Sequence, residues 1–265
     1  MLKSIVFRNT TIRFEDIGQG EPIVLLHGFL ESLDVWDEFA EELARDFRVI
    51  SIDLPGHGRT GIVDFVHTMD IMAEAVKEVL DYLGLHKILL VGHSMGGYVS
   101  LQFLKDYPDY LCGLILLHSS PLPDTEERKK ARDEMIRGIK SGKKVVIAKE
   151  HVNKTFAPDN IEKFVKKVGF LKIIALNTPN DGIVAALEGM KRRPDYRQVL
   201  KKATIPVLYV LGLKDNFIPV DILGKFELPK SGEVLKLESS GHQGFIEEKE
   251  KVLEEIRNFA KKCFK

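Results

Sequence analysis

Cysteine is scarce in this chain, with only Cys112 and Cys263 in 265 residues. The two are too far apart in sequence for a C-x-x-C redox pair or a local zinc knuckle. One lies in an apolar run and the other in a C-terminal helical pattern, so both are read as reduced thiols of a cytoplasmic protein. No apolar run approaches the ~20 residues that a membrane helix needs. The first residues, MLKSIVFRNTTIRF, scatter their apolar side chains among polar ones, so neither a signal sequence nor a membrane anchor is expected. Net charge is missing as well: 39 Lys and Arg balance 39 Asp and Glu. That balance removes the global basic field expected of a nucleic-acid binder. Internal repeats and low-complexity tracts are also absent, and no segment fixes an oligomeric state.

What is present suits one large α/β unit. Apolar residues make up 44% of the chain, ample for a core. The overall neutrality hides an asymmetry, because residues 121–202 hold 20 Lys and Arg against 11 Asp and Glu. A basic segment therefore sits within an acidic body.

The N-terminal stretches 4–8 and 11–17 alternate polar and apolar residues, which predicts an antiparallel pair turning at Asn9-Thr10. Short apolar runs follow at 23–26, 88–91, 111–118 and 205–212, as expected of buried strands, with further strands expected at FRVISIDL (47–54) and EVLKLES (233–239). Helical periodicity fills 33–45, 68–83 and 95–106 between them, and closes the chain at 247–262. The alternation predicts a parallel sheet with helices on both faces, whose ligands bind at the carboxyl ends of the strands. Between 124 and 201 the rhythm changes to helical patterns only, broken at Gly142, Pro158, Pro179 and Pro194. We read residues 1–120 and 203–265 as two parts of one core, and 121–202 as an inserted helical lid.

The chemistry centres on KILLVGHSMGG, residues 87–97. A buried strand runs into Gly92-His93-Ser94-Met95-Gly96 and a helix follows, the context in which G-x-S-x-G makes a strained turn that lifts the serine from the sheet. Glycines two residues either side remove side chains that would strike the neighbouring strand and helix. Ser94 is thus the candidate nucleophile, at a helix start whose amides face developing negative charge. In this architecture the acid and then the histidine follow the serine. Of the eight histidines only His118, His151 and His242 come after Ser94, and His242 alone lies in a loop after a late strand. Asp215, just beyond Gly212, is the expected acid, with Asp124 as the alternative; a helix-capping role for Asp215 is the competing reading. Asp53 precedes Ser94 and fails the order. The oxyanion donors expected are the amides of Met95 and Phe29. Gly28, Phe29, His118 and Phe156 are expected to border the substrate, with His27 and His118 also satisfying hydrogen bonds nearby. Phe164, Phe170 and Leu171 either extend an apolar pocket with Phe156 or pack the lid on itself.

The set LLHGF (25–29), DLPGHG (53–58), GHSMGG (92–97), GLKD (212–215) and GHQGFIEE (241–248) resembles, in order and spacing, the α/β-hydrolase superfamily, specifically its small bacterial esterase-like members with a helical cap. The resemblance spans nearly the whole chain outside the lid. It implies a mostly parallel eight-stranded sheet and a cofactor-free, metal-free serine hydrolase acting on a small-molecule ester or thioester. It also admits lactonases and carbon–carbon hydrolases, which use the same triad. Dehalogenases and epoxide hydrolases carry aspartate where Ser94 stands. The related menaquinone-pathway lyases carry arginine where Tyr98 stands. A non-catalytic small-ligand receptor of the same fold is the remaining alternative. The basic lid is read chiefly as solvated helix faces, with attraction of an anionic substrate as its other use.

Overall fold

The computed structural model describes residues 2–265. Eight strands form one sheet in the order β1-β2-β4-β3-β5-β6-β7-β8. They are β1 (Leu2–Phe7), β2 (Thr10–Gly18), β3 (Pro22–Leu26), β4 (Arg48–Ile52), β5 (Ile88–His93), β6 (Leu111–Leu117), β7 (Val207–Gly212) and β8 (Gly232–Leu237). β1 and β2 are antiparallel, as is β2 with β4, and every other pairing is parallel. The hairpin pairs Phe7 with Thr10, so Arg8 and Asn9 form the turn, one residue earlier than expected. Arg8 takes a φ of 50° there.

The central strands β3, β5, β6 and β7 are buried at every position, which is why they read as unbroken apolar runs. Two helical pairs cover the sheet. One is α2 (Met69–Tyr82) with α3 (Met95–Asp106); the other is α1 (Asp37–Leu43) with α10 (Lys249–Cys263). The expected helix over 33–45 begins as a 3-10 turn at Leu33–Trp36, where Ser32 accepts the Asp34 amide. The last helix is split: a short α9 (Gly244–Glu247) precedes α10.

Between β6 and β7 the described residues contain helices and no strand. These are α4 (Glu126–Lys140), α5 (Lys144–Thr155), α6 (Val165–Asn177), α7 (Asn180–Arg192) and the short α8 (Arg197–Lys201). This helical segment sits on the loops at the carboxyl ends of the strands. In α7 a Cβ at Gly182 would lie 2.1 Å from the Gly56 carbonyl, and one at Gly189 only 1.7 Å from that of His67. Helix backbone and loop backbone therefore touch, and any larger residue would lift α7 off the core. Among the described residues no helix is long and apolar enough to cross a membrane.

Candidate active site

β5 delivers the site. Its last residue is His93, and Ser94 follows with φ 50° and ψ −111°, a conformation that L-residues adopt at a cost of about 1–3 kcal/mol. A Cβ at Gly92 would lie 2.3 Å from Ser100 Oγ, and one at Gly96 2.4 Å from the Leu26 carbonyl. The turn can thus form only with glycine on both sides. Its backbone is pinned to the next strand, with the Ser94 amide donating to Leu117 O at 2.9 Å and Ser119 Oγ donating to Ser94 O at 2.8 Å. The Ser94 side chain opens into a cavity of about 310 Å³ that His242, Phe29 and Tyr98 also line.

Asp215 follows β7 and is buried. Its Oδ1 accepts the amides of Phe217 and Ile218 at 2.7 and 2.9 Å. Its Oδ2 accepts from His242 Nδ1 at 2.8 Å and from His118 Nδ1 at 3.1 Å. Burial raises the carboxyl pKa, but the two imidazoles outweigh it and hold the group well below the usual carboxylate range. Each side of the carboxylate therefore has its own task, ordering its own loop with one oxygen and orienting imidazoles with the other. With His242 Nδ1 committed to Asp215, Nε2 is left without a hydrogen-bond partner among the described residues, and in the neutral form of an imidazole it is the nitrogen that would bear the lone pair. No hydrogen bond joins Ser94 Oγ to His242 among these residues, although both border one cavity. Such contacts commonly tighten only with substrate bound.

The loop bearing His242 is gripped from two directions. Its amide donates to Thr155 O at 2.6 Å, and its carbonyl accepts from His93 Nε2 at 2.8 Å. Glu247 Oε1 collects the amides of Gly241 and Gln243, while its Oε2 accepts from the Ala157 amide and Asn160 Nδ2. Glu247 thus ties this loop to the end of α5.

The expected substrate residues divide. Phe29 lines the cavity, whereas Gly28, His118 and Phe156 do not. The Gly28 amide donates to Glu31 Oε2 at 2.6 Å and faces inward. His118 is fully buried behind Asp215, and its Nε2 accepts the Gly244 amide at 3.2 Å. Burial pulls its pKa down to about 4, so it is a neutral structural ring that shares the carboxylate with His242. Phe156 is fully buried, with its backbone packed against Gly241. Phe164, Phe170 and Leu171 are likewise absent from the cavity wall. The alternative acid, Asp124, is engaged by Arg132 and Arg193. Asp53 binds Arg13 and the amides of Leu33 and Arg59. Neither bonds to His242. The amides of Phe29 and Met95 have no acceptor among the described residues.

Two residues that the sequence did not single out complete the arrangement. Glu31 is buried and accepts from the Gly28 amide, His93 Nδ1 at 2.9 Å and Gln243 Nε2 at 2.8 Å. Burial alone would raise its pKa; His93, Gln243 and the Gly28 amide bring it down to about 2. His93 thereby joins Glu31 to the His242 loop. Only one group of described residues, His118, Asp215 and His242, converges closely enough to hold a metal ion, with ligand atoms within 4.8 Å of one another. Those atoms are already engaged, since both Nδ1–H groups donate to the same carboxylate oxygen.

Known proteins share this organisation. A family model described as alpha/beta hydrolase fold matches residues 21–249. The AB hydrolase superfamily protein YisY of Bacillus subtilis is 29% identical, over 95% of this chain and 96% of its own length. The pimeloyl-[acyl-carrier protein] methyl ester esterase of Vibrio vulnificus is 28% identical over 96% of this chain and its full length. Among solved structures, a thermophilic esterase from Thermogutta terrifontis with malate bound superposes with a TM-score of 0.92 at 30% identity, covering 99% of both chains. A strained serine between strand and helix, a late acid–histidine pair on the same sheet edge and a match over most of the chain together make this protein a member of the α/β-hydrolase family.

Proposed function

We propose that this chain is a serine hydrolase that cleaves a carboxylic ester or thioester of a small molecule through an acyl-Ser94 intermediate. The observation that carries this reading is the 2.8 Å contact of His242 Nδ1 with the ionised Asp215, which leaves Nε2 free beside the cavity that Ser94 shares. In that tautomer Nε2 accepts the Ser94 hydroxyl proton as Oγ attacks the carbonyl carbon, and later returns it to the leaving group. Asp215 stabilises the imidazolium formed in between. The Phe29 and Met95 amides take the oxyanion, each such donor supplying about 2.7–4 kcal/mol of transition-state stabilisation in related chemistry. Residues 121–202 act as a lid over this edge and define the substrate space. The names of the relatives, two of them esterases, support ester cleavage.

The test is a nitrophenyl ester mixed with enzyme in the stopped-flow. A burst of one equivalent of nitrophenol is expected, together with fluorophosphonate labelling of Ser94, and both vanish in Ser94→Ala. Labelling at another residue, or turnover that survives in Ser94→Ala, overturns the assignment. Tight ligand binding with no turnover supports a receptor instead.

A further inference from the structure

The wall of the Ser94 cavity contains two guanidiniums and no carboxylate. Arg128 and Arg132 stand one turn apart on α4, and the remaining wall is largely apolar, including Phe29, Tyr98 and Met135. His151, also in the wall, is neutral at pH 7, its pKa pulled down to about 4 by burial and by His242. The cationic excess is not cancelled from behind. Arg132 donates from Nε to Asp124 Oδ2 at 2.5 Å and from Nη2 to Oδ1 at 3.3 Å, but Arg193 Nη1 also donates to that Oδ1 at 2.7 Å. One buried acid therefore faces two guanidiniums, and Arg128 adds a third whose hydrogen bond goes to a neutral acceptor, the Phe217 carbonyl.

None of the other acids on α4, α5 or α7 lines this cavity. Asp133 and Glu188 pair with Lys191, and Glu126 pairs with Lys129. Glu134 and Glu150 line an adjoining, more open groove. Arg193 is fully buried; it stacks 4.0 Å over the ring of Tyr98, and its Nη2 has no acceptor among the described residues. The Tyr98 phenol records the resulting field. Burial would raise its pKa, yet Arg193, Arg128 and Arg132 together lower it.

We propose that Arg128 and Arg132 form a subsite for a carboxylate carried by the substrate, so that the preferred substrate is a small ester bearing a second, ionised carboxyl group. This rests on the hydrolase reading above and gives that same cavity a substrate class. A guanidinium in an apolar wall is suited to the task, because its planar fork donates two parallel hydrogen bonds to a carboxylate. The basic surplus of the helical segment thus has a local meaning: most of its lysines lie on solvated faces, while these two arginines face the reacting groups.

The experiment compares two esters of the same alcohol, monomethyl glutarate and methyl pentanoate, which differ only in a terminal carboxylate against a methyl group. Methanol release is followed for each. The wild-type kcat/KM is expected to favour the hemiester by about tenfold or more, the scale of one charge-assisted hydrogen bond. In Arg128→Gln the ratio falls toward one, mainly through KM, and 0.5 M salt lowers it in the wild type. Calorimetric binding of glutarate to Ser94→Ala, weakened in Ser94→Ala/Arg128→Gln, reads the subsite without turnover. Equal or faster hydrolysis of the neutral ester by the wild type overturns the subsite and leaves the hydrolase standing. Absence of turnover on both esters with glutarate still bound through Arg128 overturns the hydrolase and keeps the anion site. Circular dichroism confirms that each variant is folded, and the wild-type ratio decides the question without any variant.

Discussion

The side chain immediately before Ser94 holds the backbone of the proposed general base: His93 Nε2 donates to the His242 carbonyl at 2.8 Å. Its other nitrogen faces Glu31 at 2.9 Å. Both partners are acceptors, so both ring nitrogens must carry protons and His93 is an imidazolium. Burial opposes that charge, but Glu31 outweighs it and the pKa is raised. The Ser94 turn, the Gly28–Glu31 loop and the His242 loop are therefore fastened by one buried ion pair.

That pair makes stability depend on pH. The contribution of His93 is complete below its ordinary pKa of 6.5 and is lost as pH rises through the raised folded value. The contribution of Glu31 is complete above 4.5 and is lost as pH falls toward about 2. The Tm difference between wild type and His93→Gln is expected to be largest between these limits and to shrink as pH is raised above 6.5. A difference that grows over that range would show that His93 is neutral in the folded protein.

Glu31→Gln tests the same pair from its other end. It leaves His93 charged and buried without its counter-ion, an expected loss of about 3–5 kcal/mol in stability. Because Glu31 reaches the site only through His93, Gln243 and the Gly28 amide, it is a positioning residue. Its loss should lower kcat by about 10–100-fold with little change in KM. Chemical denaturation and steady-state kinetics on one ester separate the two effects. An unchanged kcat would reduce Glu31 to a structural tie.

The two histidines on Asp215 Oδ2 should respond very differently to substitution. Asp215→Asn removes the acceptor that fixes the His242 tautomer, and kcat is expected to fall about 10⁴-fold. His118→Gln removes a neighbour that never meets the cavity, so the expected cost is about 1–3 kcal/mol of stability with far less loss of activity. Comparable losses of kcat in both variants would mean that His118 takes part in proton transfer.

The proposed site residues that could be read from sequence share one property: their signal is local. Ser94 sits in a five-residue pattern bounded by an apolar run and a helix, and Asp215 and His242 follow strand ends in the required order. The sheet was legible because β3, β5, β6 and β7 are buried on both faces and leave no polar position to interrupt the pattern. Glu31 was not, since its partners Gly28, His93 and Gln243 lie up to 212 residues from it in sequence. Phe156 and His118 were misplaced for the reverse reason. Each is adjacent in sequence to a functional loop, and sequence carries no measure of whether a side chain points into the cavity or behind it. Arg128 and Arg132 were hidden among the many basic residues of the helical segment, and only folding shows which of them turn inward.

Glycine provides the last test, because identical substitutions should have opposite signs at two positions. Gly96 is the second residue of α3, where a Cβ would lie 2.4 Å from the Leu26 carbonyl and 2.7 Å from that of His27. Both are backbone atoms at the carboxyl end of β3, so neither can rotate away. Gly96→Ala must push the Ser94 turn off β3, and the expected result is a loss of more than about 2 kcal/mol in stability together with lost activity. Gly169 lies within α6, and a Cβ there meets nothing within 4 Å. Alanine restricts the unfolded chain and favours the helix, so Gly169→Ala should add about 0.4–1 kcal/mol with kcat unchanged. Urea denaturation of the two variants beside wild type reads both signs at once. A stable, active Gly96→Ala would mean that the nucleophile turn is looser than its backbone contacts require.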